Sequence, residues 1–330
     1  KERWAKQGQA GFGLYVTAER NGAWQSQTDL LDMNYFNPPD FKRALTNAAN
    51  QSDRYVWLYT EAAGWLDSSS DWYPYNMARV YMNIISDVTG VPYKPTAEAL
   101  AAMQKKADGI VQQRLDITRL PAGVKPPAID GDLSDAAWSK AVHIPAFIRS
   151  RSTAALPDTG VKTEAWVTYD PDNLYVAYRC HEPDMRSIVI VGGPKRDSEI
   201  YRGDSVELWL TPGPNVRPFY QLIINPDNFV FDRYNQKPEV FDGAWRSAVL
   251  KREKDWQVEL VVPWSDLKIK VPKPGATLRA NLNRIRRGRP EEVRRWHAMG
   301  YSGTRSEISS WSQYDRLFTE VTNIGYWTFK

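Results

Sequence analysis

Two glutamates in the first third of the chain are placed where paired carboxylates would be useful. Glu19 follows the β-rich run Gly13-Leu14-Tyr15-Val16-Thr17, and Glu61 follows Tyr55-Val56-Trp57-Leu58-Tyr59-Thr60. Two carboxylates facing one cleft can cleave a glycosidic bond, one protonating the leaving oxygen and the other acting as nucleophile or base. Trp24, Trp65 and Trp72 lie in the segments that follow, where flat rings could stack on sugar. The plainer reading makes each glutamate a surface loop residue or a salt-bridge partner. Later in the chain, Asn281 and Asn283 stand two apart on one pleat face, and an amide can bond two adjacent hydroxyls at once. They read equally well as edge-strand or turn amides. The run Arg284-Ile285-Arg286-Arg287-Gly288-Arg289, with Arg294 and Arg295 nearby, reads as a basic hairpin tip. Its guanidinium forks would suit carboxylate or sulfate groups of an anionic polysaccharide, unless the tip is only solvated.

The elements expected to carry Glu19 and Glu61 alternate between strand and helix. Asn37 caps a helix that starts at Pro38 and places Phe41, Ala44, Leu45 and Ala48 on one face. The run from Tyr55 to Thr60 is apolar on both pleat faces, as in strands buried within parallel sheets. A second helix carries Met77, Val80, Tyr81, Ile84 and Ile85 and stops before Gly90, and a third spans 96 to about 113. Such βα units imply right-handed crossovers. Two strands cannot close a barrel, so residues 1–113 are expected to be the last units of a (β/α)8 barrel whose earlier strands lie upstream. Active sites of such barrels sit at the C-terminal strand ends, where both glutamates fall. The expectation is that this chain alone lacks a complete active site.

Residues 114–127 are Pro- and Gly-punctuated and predict a linker. From 128 to 330, short alternating strands recur: Thr163–Tyr169, Leu174–Cys180, Ser205–Leu210, Phe219–Asn225, Phe229–Tyr234, Ala248–Lys251, Trp256–Pro263 and Thr277–Arg286. Val206, Leu208 and Leu210 face one way, Glu207 and Trp209 the other. Many short strands without long helices between them predict a two-sheet antiparallel sandwich, jelly-roll or immunoglobulin-like. The fold class is therefore α+β multidomain, a β-sandwich preceded by a partial barrel segment. Trp138 is expected to plug the sandwich core.

Four blocks resemble the family 9 carbohydrate-binding modules: Ile129-Asp130-Gly131-Asp132-Leu133 with Trp138, Tyr169-Asp170-Pro171-Asp172-Asn173-Leu174, Gly203-Asp204-Ser205-Val206-Glu207-Leu208, and Trp256-Gln257-Val258-Glu259-Leu260. The barrel segment looks similar to the tail of glycoside-hydrolase barrels. The sandwich resemblance implies a site in which two aromatic rings grip a terminal sugar. Their counterparts here are Tyr201, three residues before Asp204, and Phe318, in the loop after Ser310-Trp311-Ser312. Gln221 and Asn225 fall on the strand that supplies a polar helper, although Ile223 stands where that family carries Arg. The implied partner is a polysaccharide or oligosaccharide, and the module is expected to be attached to a polysaccharide-degrading glycoside hydrolase that is secreted, periplasmic or on the cell surface.

Composition supplies further bounds. The chain carries 14 Trp and 17 Tyr, a large store of rings for stacking or for cores. Its net charge of +4 is too small to imply nucleic acid, and no run is long enough to span a membrane. The single cysteine, Cys180, excludes an internal disulfide and reads as a core residue. No cofactor is expected. Asp130 with Asp132, and Asp170 with Asp172, could hold a structural calcium ion of the kind the resemblance implies. Two competing functions remain: a haem-binding redox sandwich, using His181 with Met185 or His297 with Met299, and a non-enzymatic adhesion domain.

Overall fold

A computed structural model describes residues 11–16, 18–20, 23–25, 35–52, 55–59, 63–64, 75–76, 79–92, 113–150, 158–213, 218–235, 240–300, 306–312 and 324–330. The chain divides into two compact units, Lys1–Gly109 and Ile110–Lys330.

The first unit contains β1 (Gly11–Tyr15), β2 (Ala18–Arg20), β3 (Ala23–Gln25), α1 (Pro38–Gln51), β4 (Tyr55–Tyr59), β5 (Ala63–Gly64), β6 (Tyr75–Asn76) and α2 (Arg79–Thr89). Helix α1 begins as its sequence dictates. Asn37 Oδ1 accepts the Asp40 amide at 2.9 Å, Pro38 opens the first turn, and Phe41, Leu45 and Ala48 are buried. Strands β1 and β4 pair in parallel, from Gly11 opposite Tyr55 to Tyr15 opposite Tyr59. Leu14, Val56 and Leu58 pack with Phe41, Leu45, Tyr81 and Ile84 in one small core. The other pleat face is open, with Tyr55 57% and Trp57 73% exposed, so β4 is not covered on both faces as expected. Among the described residues the first unit holds three separate two-stranded sheets, β1–β4 and β5–β6 parallel and β2–β3 antiparallel, and these do not join into the expected barrel segment. The expected third helix, residues 96–113, lies almost wholly outside the described residues.

The second unit is a sandwich of two sheets. Its strands are β7 (Arg114–Ile117), β8 (Val142–Ile144), β9 (Ile148–Arg149), β10 (Thr163–Tyr169), β11 (Asn173–His181), β12 (Ser205–Leu210), β13 (Tyr220–Ile224), β14 (Val230–Tyr234), β15 (Arg246–Lys251), β16 (Asp255–Pro263), β17 (Thr277–Arg287), β18 (Ser306–Ser310) and β19 (Gly325–Phe329), with helix α3 (Pro290–Ala298) after β17. One sheet runs β15-β16-β11-β10-β8. The other runs β14-β13-β12-β17-β18-β9, with β19 added to β17 and β7 added to β19. All pairings are antiparallel except β7 on β19. That pair corrects the linker reading of residues 114–127. Arg114–Ile117 is a sheet strand, Ile117 is fully buried, and Leu120 packs on Ala137 and Trp138. The Pro and Gly residues that suggested a linker bend a segment that stays on the sandwich.

Alternation builds the core. Val167, Val176, Leu260, Leu208, Leu222 and Leu282 are among the side chains that meet between the sheets, and each is at most 1% exposed. The first and last of the four blocks are joined by one carboxylate. Glu259 on β16 accepts the amides of Asp130 and Gly131 at 2.9 and 2.7 Å through Oε2, and the Trp138 indole at 2.6 Å through Oε1. Gly131 has φ +92°, and a Cβ there would lie 2.6 Å from the Leu250 amide nitrogen, so only glycine fits. Trp138 is 3% exposed, plugging this corner as expected. Replacing Glu259 with alanine leaves three donors without their acceptor. A loss of about 3 kcal/mol is expected in urea unfolding, and an unchanged midpoint would show the clamp to be dispensable.

Candidate functional site

The block Asp204-Ser205-Val206-Glu207-Leu208 distributes its side chains among three environments. Val206 and Leu208 enter the core, Asp204 joins a buried ion network, and Ser205 and Glu207 turn to the outer face of the eight-stranded sheet. On that outer face, β12 contributes Glu207 and Trp209, β13 contributes Gln221, β14 contributes Arg233, and β17 contributes Asn281 and Asn283. Glu207 is fully buried. Its Oε2 accepts the Trp209 indole at 2.6 Å and the Gln221 amide at 2.7 Å. Gln221 Oε1 in turn accepts Arg233 Nε at 2.5 Å.

Several buried polar atoms on this face have no partner. Glu207 Oε1, both amide atoms of Asn283 and Ser205 Oγ are unpaired, and Asn283 stands directly opposite Glu207 in the β12–β17 register. Buried polar groups are almost always hydrogen-bonded, because leaving one unpaired costs about 1–3 kcal/mol. An acceptor, an amide and a hydroxyl left unspent together have the chemistry to receive an external group carrying hydroxyls. Burial pushes the Glu207 carboxyl up to about 7, although bonds from Trp209 and Gln221 and the charge of Arg233 act downward.

A stability consequence follows. A carboxyl whose folded pKa lies above its unfolded value favours the folded state while it is protonated. That contribution is complete below about pH 4.5 and is lost as pH rises toward 7. Glu207→Gln is therefore expected to melt above the parent protein at pH 8, with the gap closing at about pH 4.5. An equal gap at both pH values would contradict the assignment.

The candidate residues separate as follows. Tyr201 lies in a 3-10 turn, Ile200–Arg202, half-buried against Ile223 and Phe231 of the same outer face, its ring edge-on to Phe231 at 5.5 Å. Tyr201, Gln221, Asn281 and Asn283 therefore share one face. Asn281 is spent within the protein, its amide donating to the Ser312 carbonyl at 2.8 Å and accepting the Ser312 and Leu282 amides. Asn225 is likewise spent, capping the turn at Asp227 and Phe229 and reaching the Val191 carbonyl. Phe318 and Glu61 lie outside the described residues. Glu19 sits in β2 opposite Trp24 of β3, within a short antiparallel pair rather than at the end of a parallel strand.

Arg284 is corrected outright. It is 2% exposed and donates to the carbonyls of Lys162 and His181 and to Thr163. Arg286 and Arg289 are equally internal, whereas Arg294 and Arg295 are exposed on α3. Arg286 bonds Glu182 at 2.8 and 3.2 Å and Glu292 at 2.7 and 2.9 Å, and Arg289 bonds Glu182 and Asp204. The three guanidinium groups are neutralised by Glu182, Asp204 and Glu292, so this cluster offers nothing to an anionic polysaccharide. It does hold Asp204, and Asp204 Oδ2 also accepts the Val189 amide at 2.8 Å. The network thus fixes the strand that begins just after Tyr201.

Glu207 was not among the expected site residues. Strand alternation already marked it as facing away from the core, but a strand glutamate facing outward reads as solvated.

The calcium donors do not fit a metal. Asp130 Oδ1 accepts the Asp132 amide, Asp132 pairs with Arg252, and Asp170 accepts the amides of Asp172 and Asn173 and the Tyr175 hydroxyl. Among the described residues no group of three or more His, Cys, Asp or Glu side chains could hold a metal ion. The haem pair His181 and Met185 is split by the five-stranded sheet. His181 lies 3.2 Å from Glu164 on the outer face, whereas Met185 packs on the core. Cys180 is buried in the core, and burial pushes its thiol up to about 12.

A two-sheet antiparallel sandwich with one polar, incompletely satisfied outer face defines a β-sandwich binding module. Residues 129–305, more than half of the chain, match the family described as carbohydrate family 9 binding domain-like, and the chain belongs to that family. Among solved structures, the chain is similar to a family 9 carbohydrate-binding module from Caldicellulosiruptor kristjanssonii in complex with cellotriose. That match has 15% identity and TM-score 0.47, covering 66% of this chain and 94% of that one. The glucose complex from the same organism matches at 16% identity and TM-score 0.46, covering 66% and 96%. No curated protein matches the chain.

Proposed function

We propose that the second unit binds a saccharide on the outer face of its eight-stranded sheet, with Glu207 and Asn283 as polar readers and Tyr201 as a stacking ring. The observation that carries this is the unspent hydrogen-bonding capacity of Glu207 Oε1 and the Asn283 amide, side by side on the outer sheet face of a family 9 sandwich. Sugar hydroxyls both donate and accept, so one vicinal pair can satisfy a carboxylate oxygen and an amide together. Affinity is expected between micromolar and millimolar, since each sugar bond replaces a bond to water. Tyr201→Ala should reduce retention in affinity electrophoresis on the cognate glycan without unfolding the domain. Phe318→Ala should do the same. Unchanged retention for both would remove stacking from the account.

The same proposal includes a catalytic neighbour. The parallel β1–β4 pair linked through α1 is the arrangement that βα units adopt, and it supports reading residues 1–113 as the tail of a glycoside-hydrolase barrel. There Glu61 and Glu19 would be the candidate carboxylates, and residues 128–330 the module that keeps the enzyme close to its polysaccharide, in an extracellular or periplasmic setting. Effective concentration is what such tethering supplies. Upstream coding sequence containing further βα units supports this reading, and its absence there removes it.

A further inference from the structure

We propose that saccharide binding at this face is coupled to release of a proton from Glu207. The inference rests on placing the saccharide there, and it concerns how that site is regulated. Its basis is competition for one oxygen. Glu207 Oε2 is filled by the Trp209 and Gln221 donors at 2.6 and 2.7 Å, which leaves Oε1 as the only position for either a proton or a ligand hydroxyl. A ligand hydroxyl that donates to Oε1 needs the unprotonated oxygen, and the charge-assisted bond it then makes is stronger than one accepted from the neutral acid. Binding thus converts the carboxylic acid to carboxylate, and the proton leaves to solvent.

The surroundings favour the protonated acid in the empty site. Among the described residues, Arg233 on β14 is the charged group whose field reaches Glu207, and it does so from behind Gln221, to which its Nε donates. Strand β13 contributes the neutral Gln221, and β17 contributes the neutral Asn281 and Asn283. The 3-10 turn brings Tyr201, and β12 itself adds Ser205 and Trp209. From the core side, the Tyr178 hydroxyl donates to the Glu207 carbonyl, not to its carboxyl. No cation touches either carboxyl oxygen in the described residues. The value of about 7 that burial imposes agrees with this geometry. Ligand hydroxyls at Oε1 and the Asn283 amide would supply the missing stabilisation of the charged form and lower that value.

The test is calorimetric titration of the full chain with cellotriose, xylotriose and mannotriose between about pH 5.5 and 8.5. Each titration is run in two buffers of different ionisation enthalpy. The expected result is an affinity that rises about tenfold per pH unit below about pH 7 and levels off above it. Near pH 6 the buffer dependence should report close to one proton released per saccharide bound. Glu207→Gln should bind with weaker, pH-independent affinity and no proton release. Arg233→Gln, which removes the distant cation, should shift the midpoint to higher pH and keep the slope. Binding that is flat with pH, or stronger in acid with proton uptake, overturns the coupling while leaving the saccharide site standing. If no trisaccharide binds at any pH, the site itself is overturned and the coupling with it.

Discussion

Glu182→Ala is expected to destabilise the sandwich by about 3–5 kcal/mol, enough to leave much of the chain unfolded at 37 °C. Glu182 is fully buried between Arg286 and Arg289, with Arg284 at 3.5 Å. Removing it leaves guanidinium groups in a dry interior with only Asp204 and Glu292 to answer them. Burial alone would raise the Glu182 pKa, but bonds from Arg289 and Arg286 overcome that and hold it at about 2. The sign follows from linkage. A depressed folded pKa contributes stability that is complete above about 4.5 and is lost as pH falls toward 2. Thermal melting should therefore fall steeply between about pH 4.5 and 2 in the parent protein. Equilibrium unfolding in urea measures the substitution, and a change below about 1 kcal/mol would contradict a tightly coupled network.

Asn283→Leu is expected to separate stability from function. The amide is fully buried with neither atom paired, so it costs the fold the desolvation of that group, about 1–3 kcal/mol. Leucine has a similar volume and no polar atoms, so the variant should unfold at equal or higher urea concentration. Retention on glycan should fall by about tenfold or more, since the lost hydrogen bonds go to a ligand that the protein itself does not replace. A variant that binds normally, or that is clearly less stable, would show that Asn283 has a structural partner instead of a ligand. Stability traded for an unmet hydrogen bond is characteristic of a site, because folding alone would favour satisfying it.

The strands were readable wherever their signal was local. The predicted Thr163–Tyr169 coincides with β10, and the Asp170-Pro171-Asp172-Asn173 turn joins it to β11 as expected. Val206, Leu208 and Leu210 did enter the core. What stayed hidden depends on partners far away in sequence. Strand β7 pairs in parallel with β19, more than 200 positions later, and the polar–apolar alternation of Arg114-Leu115-Asp116-Ile117 is too short to stand out beside the Pro and Gly residues that follow. The arginines from Arg284 to Arg289 read as a solvated tip because Glu182 and Asp204, their neutralising partners, lie 85 to 107 positions away. Helix α3, which carries Glu292, falls where the sequence shows only Arg294 and Arg295 beside that tip. For the site, the resemblance singled out Tyr201 and the i, i+2 spacing singled out Asn283, and both lie on the outer face of the eight-stranded sheet, whereas Glu207 was not expected there. Neither could tell that Asn281 is spent on Ser312 while Asn283, two residues on, is not. That distinction is set by three-dimensional neighbours alone.

The central claim is most directly tested by a crystal structure of the chain soaked with a trisaccharide that it binds in solution. The predicted result is a sugar ring on the eight-stranded sheet, with hydroxyls within hydrogen-bond distance of Glu207 Oε1 and the Asn283 amide and with Tyr201 beside the ring. A saccharide bound instead on the outer face of the five-stranded sheet, near His143, Trp166 and His181, with Glu207 and Asn283 unchanged, would contradict it.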